Sequence, residues 1–430
     1  MDEEFPEALQ IEVTNKCNFN CLNCMRQVWK ANPCDMNLNL YKTIAEKAFP
    51  RLTRLILCGL GEPFINPNVL EMLKISREKL PREAQIKIST NGSFLTPKLA
   101  DKIVKEIGVD SICFSIDTVD RAKLRDIREG SKPAIILENL HHISRIKHRG
   151  GRDFKLGIEA VITTENLSDL PFLVEYAAEK DVDYIIFSHV IPYTKEVYDK
   201  TVYITMSKHS LEIIKPSLKY GWSLLREASK EIFGKAYGLS RKSNCAWKIE
   251  EFWRSAEEKG CWINLPLLFS SKGKLEEIDK LGENFRQILK LADRYKIDLR
   301  LPNLYPNAKE RKCPYIERST MVVRCDGFVA PCTEYMYSHP MYVNAHLKNV
   351  HELIFGHSRM ERVEDVWRKA DYVNFRLVRE NMARNMPWCG DCPYSPMGCY
   401  YTKTNEFDCY GNIYTCNECL YSVNLAKCNI

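Results

Sequence analysis

The stretch Leu9-Gln10-Ile11-Glu12-Val13-Thr14-Asn15-Lys16-Cys17-Asn18-Phe19-Asn20-Cys21-Leu22-Asn23-Cys24 begins with alternating apolar and polar residues and ends in three cysteines. The alternation through Val13 predicts a half-buried strand. The loop after it spaces its thiols C-x3-C-x2-C. Three thiolates on one short loop can hold three irons of a 4Fe–4S cube and leave the fourth iron open. A closed zinc site would want a fourth Cys or His nearby, and Cys34 is the only close candidate. Both chemistries fit the loop itself.

Further short apolar runs follow at regular intervals: Leu55-Ile56-Leu57-Cys58, Ile86 to Ser89, Ser111 to Ile116, Lys155 to Ile162 and Tyr184 to Phe187. Between them lie segments of helical periodicity, such as Pro97 to Ile107 and Leu167 to Lys180. Parallel strands need crossover helices, so this alternation predicts a parallel sheet or barrel with sites at the carboxyl ends of the strands. Six strands are too few for an eightfold barrel. The fold class expected is α/β, a partial (β/α)6 TIM-like barrel over residues 1–198. A helical insertion follows over 199–280, clearest in Leu211 to Phe233 and Ile249 to Lys259. Residues 281–312 supply a last helix, Phe285 to Tyr295, and a strand from Ile297 to Pro302. Beyond Cys313 periodicity fades, and 313–430 is expected to be a small cysteine-rich domain that needs metal to fold.

Composition narrows the function classes. Of 430 residues, 45% are hydrophobic and 27% charged, as in ordinary globular proteins. The net charge of +6 is spread over 62 basic and 56 acidic residues without a long basic run, which argues against a nucleic-acid surface and suits an acidic electron carrier. No apolar run approaches the roughly 18 residues that cross a bilayer. Met1 to Glu7 is acidic and lacks an export-signal core, so the expected compartment is the cytoplasm. There the 18 cysteines read as thiolates for metal rather than disulfides.

The triplet Cys17, Cys21 and Cys24, placed directly after the first strand, resembles the defining loop of the radical SAM superfamily. The resemblance implies that the open iron binds the amino and carboxylate groups of S-adenosylmethionine. Reductive cleavage then gives methionine and a 5′-deoxyadenosyl radical. Asn23 stands where the family usually has an aromatic residue. Gly59-Leu60-Gly61-Glu62-Pro63 resembles the family's G-x-G-E-P turn, whose backbone and carboxylate would hold the methionine ammonium. Ser89 and Asn91 after the third strand, and Ser115 and Asp117 on the fourth, look like ribose- and carboxylate-contacting positions. Glu159 on the fifth strand matches a position near the ligand.

Ten of the cysteines lie from Cys313 onward. The pattern of Cys313, Gly327 and Cys332, then Cys389, Cys392 and Cys399, resembles the SPASM extension, which carries auxiliary 4Fe–4S clusters. Asp326-Gly327 reads as a hairpin turn. The family places a further cysteine four residues after Cys399, whereas here the next is Cys409, followed by Cys416, Cys419 and Cys428. Ten thiolates can support one or two such clusters; structural zinc at the two C-x2-C pairs is the alternative. Cys34, Cys58, Cys113, Cys245 and Cys261 read as small buried residues. His189 and His346 read as core histidines, and Glu334 is a candidate acid or base. Through the Cys17 to Trp29 segment, the helical insertion, Tyr394-Ser395-Pro396-Met397-Gly398-Cys399 and the cysteine-rich tail, the whole chain resembles the tungsten-cofactor oxidoreductase maturases. That implies work on a tungsten aldehyde oxidoreductase, with electrons from a donor such as ferredoxin or flavodoxin. A maturase acting on a peptide or protein, making a thioether, carbon–carbon link or formylglycine, is the alternative. A non-catalytic iron–sulfur carrier would explain the cysteines but not the G-x-G-E-P and Ser-x-Asp signals.

Overall fold

The computed structural model describes residues 4–149, 154–218, 254–260, 262–271 and 273–430, with isolated positions between 219 and 253. Twelve strands are present among them: β1 Ala8–Ile11, β2 Arg54–Leu57, β3 Gln85–Thr90, β4 Ser111–Ser115, β5 Lys155–Ile162, β6 Tyr184–His189, β7 Asp298–Arg300, β8 Thr320–Val323, β9 Phe328–Ala330, β10 His339–Val343, β11 His346–Val350 and β12 Gly356–His357. Ten form one sheet in the order β12-β9-β8-β1-β2-β3-β4-β5-β6-β7. Every pairing from β8 through β1 to β7 is parallel. The sheet has two free ends, so the barrel is open.

The six expected strands stand within two residues of their predicted starts. Their alternation sorts the walls: on β3, Ile86, Ile88 and Thr90 are buried against the helices while Lys87 and Ser89 are partly open. On β5, Glu159 and Val161 occupy the corresponding partly open positions. The helix expected from Pro97 starts there, with the Thr96 hydroxyl accepting from Leu99 N at 3.4 Å and Pro97 in the first turn. It relaxes into a π-helical stretch over Lys102–Ile107 and stops at Gly108, which has φ +82°. The last barrel helix runs Lys274–Tyr295, starting 11 residues before the expected Phe285. Of the insertion, Lys208–Leu218 is helical; the remainder of Leu211 to Phe233, and Ile249 to Arg254, lie largely outside the described residues.

The cysteine-rich region departs from expectation. It is not a body apart, because Thr320-Met321-Val322-Val323 is a fully buried strand that pairs in parallel with β1. A strand covered on both faces shows no alternation, so periodicity could not reveal it. Asp326-Gly327 does make the hairpin turn, with Gly327 at φ +96° between antiparallel β8 and β9. A second hairpin, β10–β11, turns through Asn344 and Ala345, both at positive φ. Among the described residues, no helix is long and apolar enough to cross a membrane.

Candidate active site

Cys17, Cys21 and Cys24 line a cavity of about 310 Å³ at the mouth of the barrel, together with Asn23, Gly59, Glu62, Ser89, Asn91, Ser115, Arg128 and Glu159. The loop is held from several sides. Asn20 N donates to Glu129 O at 2.8 Å and Leu22 N to Ile127 O at 3.3 Å. Asn91 Nδ2 donates to Asn18 Oδ1 at 2.9 Å and points at Cys17 Sγ at 3.7 Å. Burial raises the Cys21 thiol to about 11, opposed by the Arg128 charge; burial also raises Cys24. Among the described residues no three His, Cys, Asp or Glu side chains converge tightly enough for a single metal ion. The donor set is three thiols around a cavity, which fits a multi-iron group bound from one side.

The turn after β2 fits against this loop with no room to spare. A Cβ on Gly61 would stand 2.2 Å from Thr14 O, and one on Gly59 2.4 Å from Glu12 Cγ. Lys16 O accepts from Glu62 N at 2.8 Å, and Glu12 Oε1 from Leu60 N at 2.9 Å. Glu62 is only 2% exposed. Its carboxylate accepts from Thr90 Oγ1 at 2.7 Å, Asn91 N at 2.7 Å and Phe64 N at 3.3 Å. Burial outweighs those bonds and raises it to about 7. The Glu62 side chain, expected to meet a ligand, thus also braces β2 against β3, and Gly59, Leu60, Gly61 and Glu62 all border the cavity.

Asp117 is also engaged internally. It is 1% exposed and pairs with Arg128, Nε to Oδ2 at 2.8 Å and Nη2 to Oδ1 at 3.1 Å. Val161 N donates to the same carboxylate at 2.8 Å. Arg128, not Asp117, reaches the cavity. Facing it is Glu159, raised to about 7 by burial, with Arg128 pulling it down and Asp117 pushing it up.

The C-terminal thiols fall into two groups. Cys313, Cys332, Cys416 and Cys419 line one enclosed cavity of about 50 Å³, with Tyr315, Tyr335, Glu334 and Tyr421. Arg379 Nε donates to Cys416 Sγ at 3.2 Å, and buried Arg311 reaches Cys416 O at 2.6 Å. Burial raises Cys313 to about 11, and the neighbouring Cys416 adds to it. Burial likewise raises the Cys332 and Cys419 thiols, and Cys416 adds to it, so the four, beside two buried cations, suit a metal group that takes them as thiolates. Cys389, Cys392 and Cys409 form the second group with Cys399: burial raises the first three thiols, and neighbouring thiols of the set add to the rise. Cys409 is exposed.

A model of the radical SAM superfamily matches residues 11–177, and one of the SPASM iron–sulfur cluster-binding domain matches residues 313–393. The chain is a radical SAM protein with a SPASM domain. It is similar to a Pyrococcus furiosus protein named tungsten-containing aldehyde ferredoxin oxidoreductase cofactor-modifying protein, at 26% identity over 98% of this chain and 97% of that one. GTP 3′,8-cyclase of Marinobacter nauticus is 26% identical over 48% of this chain and 61% of its own. The fold is shared with Streptococcus suis SuiB bound to S-adenosylmethionine, at a TM-score of 0.52 and 15% identity over 87% of this chain and 68% of that one. It is also shared with anSMEcpe bound to AdoMet and a peptide, at 0.50 and 13% over 96% and 94%. The superfamily match and the cofactor-modifying relative mark this radical SAM protein as an enzyme.

Within the SPASM domain, eight of the nine expected thiols are thus gathered, including Cys409 at its unusual spacing. Cys428 does not line the four-thiol cavity; it lines the radical SAM cleft, within electrostatic reach of Cys419 and Cys313. Cys58, expected as a buried filler, lines the cleft too. Cys113 is buried as expected, Cys34 lies half-buried near Cys325, and Cys245 and Cys261 lie outside the described residues. Glu334 faces the four-thiol cavity and pairs with buried His339 at 3.0 Å. His189 is a core histidine, bonded to Asn303 O at 3.0 Å and lowered to about 4 by burial. His346 pairs with Glu418 at 3.3 Å. Sequence reading missed Arg128. Its one signal was Asp117, a strand-end carboxylate that burial would oblige to find a cation.

Proposed function

We propose that this enzyme reductively cleaves S-adenosylmethionine to a 5′-deoxyadenosyl radical and acts in maturing a tungsten-cofactor aldehyde oxidoreductase. The observation that carries the first half is the placement of Cys17, Cys21 and Cys24 on the rim of a cavity at the carboxyl ends of parallel strands, with Arg128 and Glu159 in its lining. An iron–sulfur cube on those thiols would supply the cleaving electron and a coordination position for the amino acid part of the co-substrate. The chain's own groups do the rest. Arg128, oriented by Asp117, offers a cation to a carboxylate, and Glu159 offers the sulfonium an opposite charge. The turn from Gly59 to Glu62 lets backbone approach closely, since a Cβ there would collide with β1 and its loop.

The end-to-end similarity to the Pyrococcus furiosus protein supports the second half. A low-potential donor such as ferredoxin or flavodoxin fits the electron demand. The exposed Cys409 places one edge of the second thiol group at the surface, where such a donor can approach. Anaerobic reconstitution with iron, sulfide, dithionite and S-adenosylmethionine is expected to yield 5′-deoxyadenosine, and Cys17→Ala to abolish it. Protein that binds zinc alone, or that yields no 5′-deoxyadenosine, would overturn the reading. Maturation is tested by activity of the tungsten oxidoreductase expressed with and without this chain.

A further inference from the structure

The segment from Leu425 to Ile430 lies in the barrel lumen. His189 N donates to Leu425 O at 3.1 Å, Lys427 N to Ser188 Oγ at 3.0 Å and Asn429 Nδ2 to Ser89 Oγ at 3.0 Å. Arg318, ahead of β8, donates to Ile430 O, and Ile430 packs with Ile56 and Val322. Anchors on β6, β3 and the approach to β8 carry the segment from one wall to the other. Lys427, Cys428 and Asn429 consequently line the same cavity as Cys17, Arg128 and Glu159.

Cys428 has no place in either four-thiol group. Of the ten cysteines from Cys313 onward, eight complete the two sets, leaving Cys325 and Cys428. Cys325 is 1% exposed and contacts Tyr337 at 3.6 Å, away from the cleft. Cys428 borders the cleft and packs in one cluster with Tyr315, whose hydroxyl bonds to Gln10 Oε1 at 2.9 Å and Thr333 Oγ1 at 2.6 Å. Tyr315 lines both the cleft and the enclosed cavity of Cys313, Cys332, Cys416 and Cys419. A thiol held on the wall of the cleft proposed to generate the radical, with a phenol between it and a four-thiol cavity, is placed as a reactant.

We propose that Cys428 is a catalytic residue and not a metal ligand, its S–H giving a hydrogen atom to a carbon radical formed in the cleft. The S–H bond is weaker than the C–H bond made, so the transfer runs downhill. The carbon centre gains one hydrogen atom and the sulfur is left as a thiyl radical. One electron from a low-potential iron–sulfur or flavin protein, with one proton from water, restores the thiol. Tyr315, which borders both cavities, would be the contact toward an iron–sulfur group held by Cys313, Cys332, Cys416 and Cys419. The inference rests on the cleavage reading above.

The test is single-pot cleavage in D2O without added substrate, on the full chain reconstituted anaerobically with S-adenosylmethionine and dithionite. In that solvent the thiol carries deuterium, and the adenosyl radical has only the cleft wall to draw on. Wild-type 5′-deoxyadenosine is expected to carry one deuterium by mass spectrometry. Cys428→Ala and Cys428→Ser are both expected to lose that label while retaining wild-type iron per chain. Loss of a cluster's worth of iron in both variants would make Cys428 a ligand and overturn the inference. Unlabelled wild-type product, or label that persists in the variants, would overturn it also. Wild-type protein that forms no 5′-deoxyadenosine would overturn the cleavage reading and this inference together.

Discussion

Glu159 shows how one side chain in the cleft couples charge to stability. Burial raises it from the usual glutamate value of 4.5 to about 7, although Arg128 opposes the rise. A carboxyl whose folded value exceeds its unfolded one favours the folded state below the unfolded value. It loses that advantage as pH rises through the folded one. Metal-free protein should therefore lose stability between about pH 4.5 and 7, and Glu159→Gln should flatten that slope. Urea denaturation at a series of pH values checks this; an unchanged slope in the variant would assign the loss elsewhere. A cationic co-substrate would draw Glu159 back to its charged form, so binding there should release a proton.

The β2 turn and the cysteine loop behave as one structural element, because Glu12, Thr14 and Lys16 touch Gly59, Gly61 and Glu62 through backbone and buried carboxylate. Gly61→Ala forces a methyl to within 2.2 Å of a backbone oxygen that no side-chain rotation can move. We expect a loss of about 2–4 kcal/mol, or failure to retain iron on the loop. Gly273→Ala, where nothing lies within 4 Å of the added methyl, is the control and should cost no more than a helix-cap change, about 1 kcal/mol. Equal effects of the two substitutions in chemical denaturation would refute the close-packing account.

For the molecule as a unit, the parallel pairing of β8 with β1 ties the SPASM region to the first barrel strand. Removing iron should therefore lower the temperature of one cooperative transition instead of releasing a domain that melts by itself. Two resolved transitions by calorimetry on the chelated protein would contradict that. Cys392→Ala, in the second thiol group, should leave cleavage of S-adenosylmethionine intact and stop turnover of the natural substrate. Loss of 5′-deoxyadenosine in that variant would show that the two halves do not separate in function.

Much of this protein is legible in local order along the chain. The alternation of β3 and β5, the helix punctuation at Thr96-Pro97, the Asp326-Gly327 turn and the C-x3-C-x2-C loop each express contacts among near neighbours, so sequence spacing reports them directly. β1, expected half-buried, is instead buried at every residue because strands flank it on both sides. Partnerships set by tertiary packing, from Asp117 and Arg128 at 11 residues apart to Ser89 and Asn429 at 340, leave no such trace. Nothing in the spacing says that Cys313 shares a cavity with Cys416, that Asp117 holds Arg128, or that Cys428 enters the barrel. Those follow from burial, which obliges each charge and thiol to find a companion wherever the packed sheet brings one.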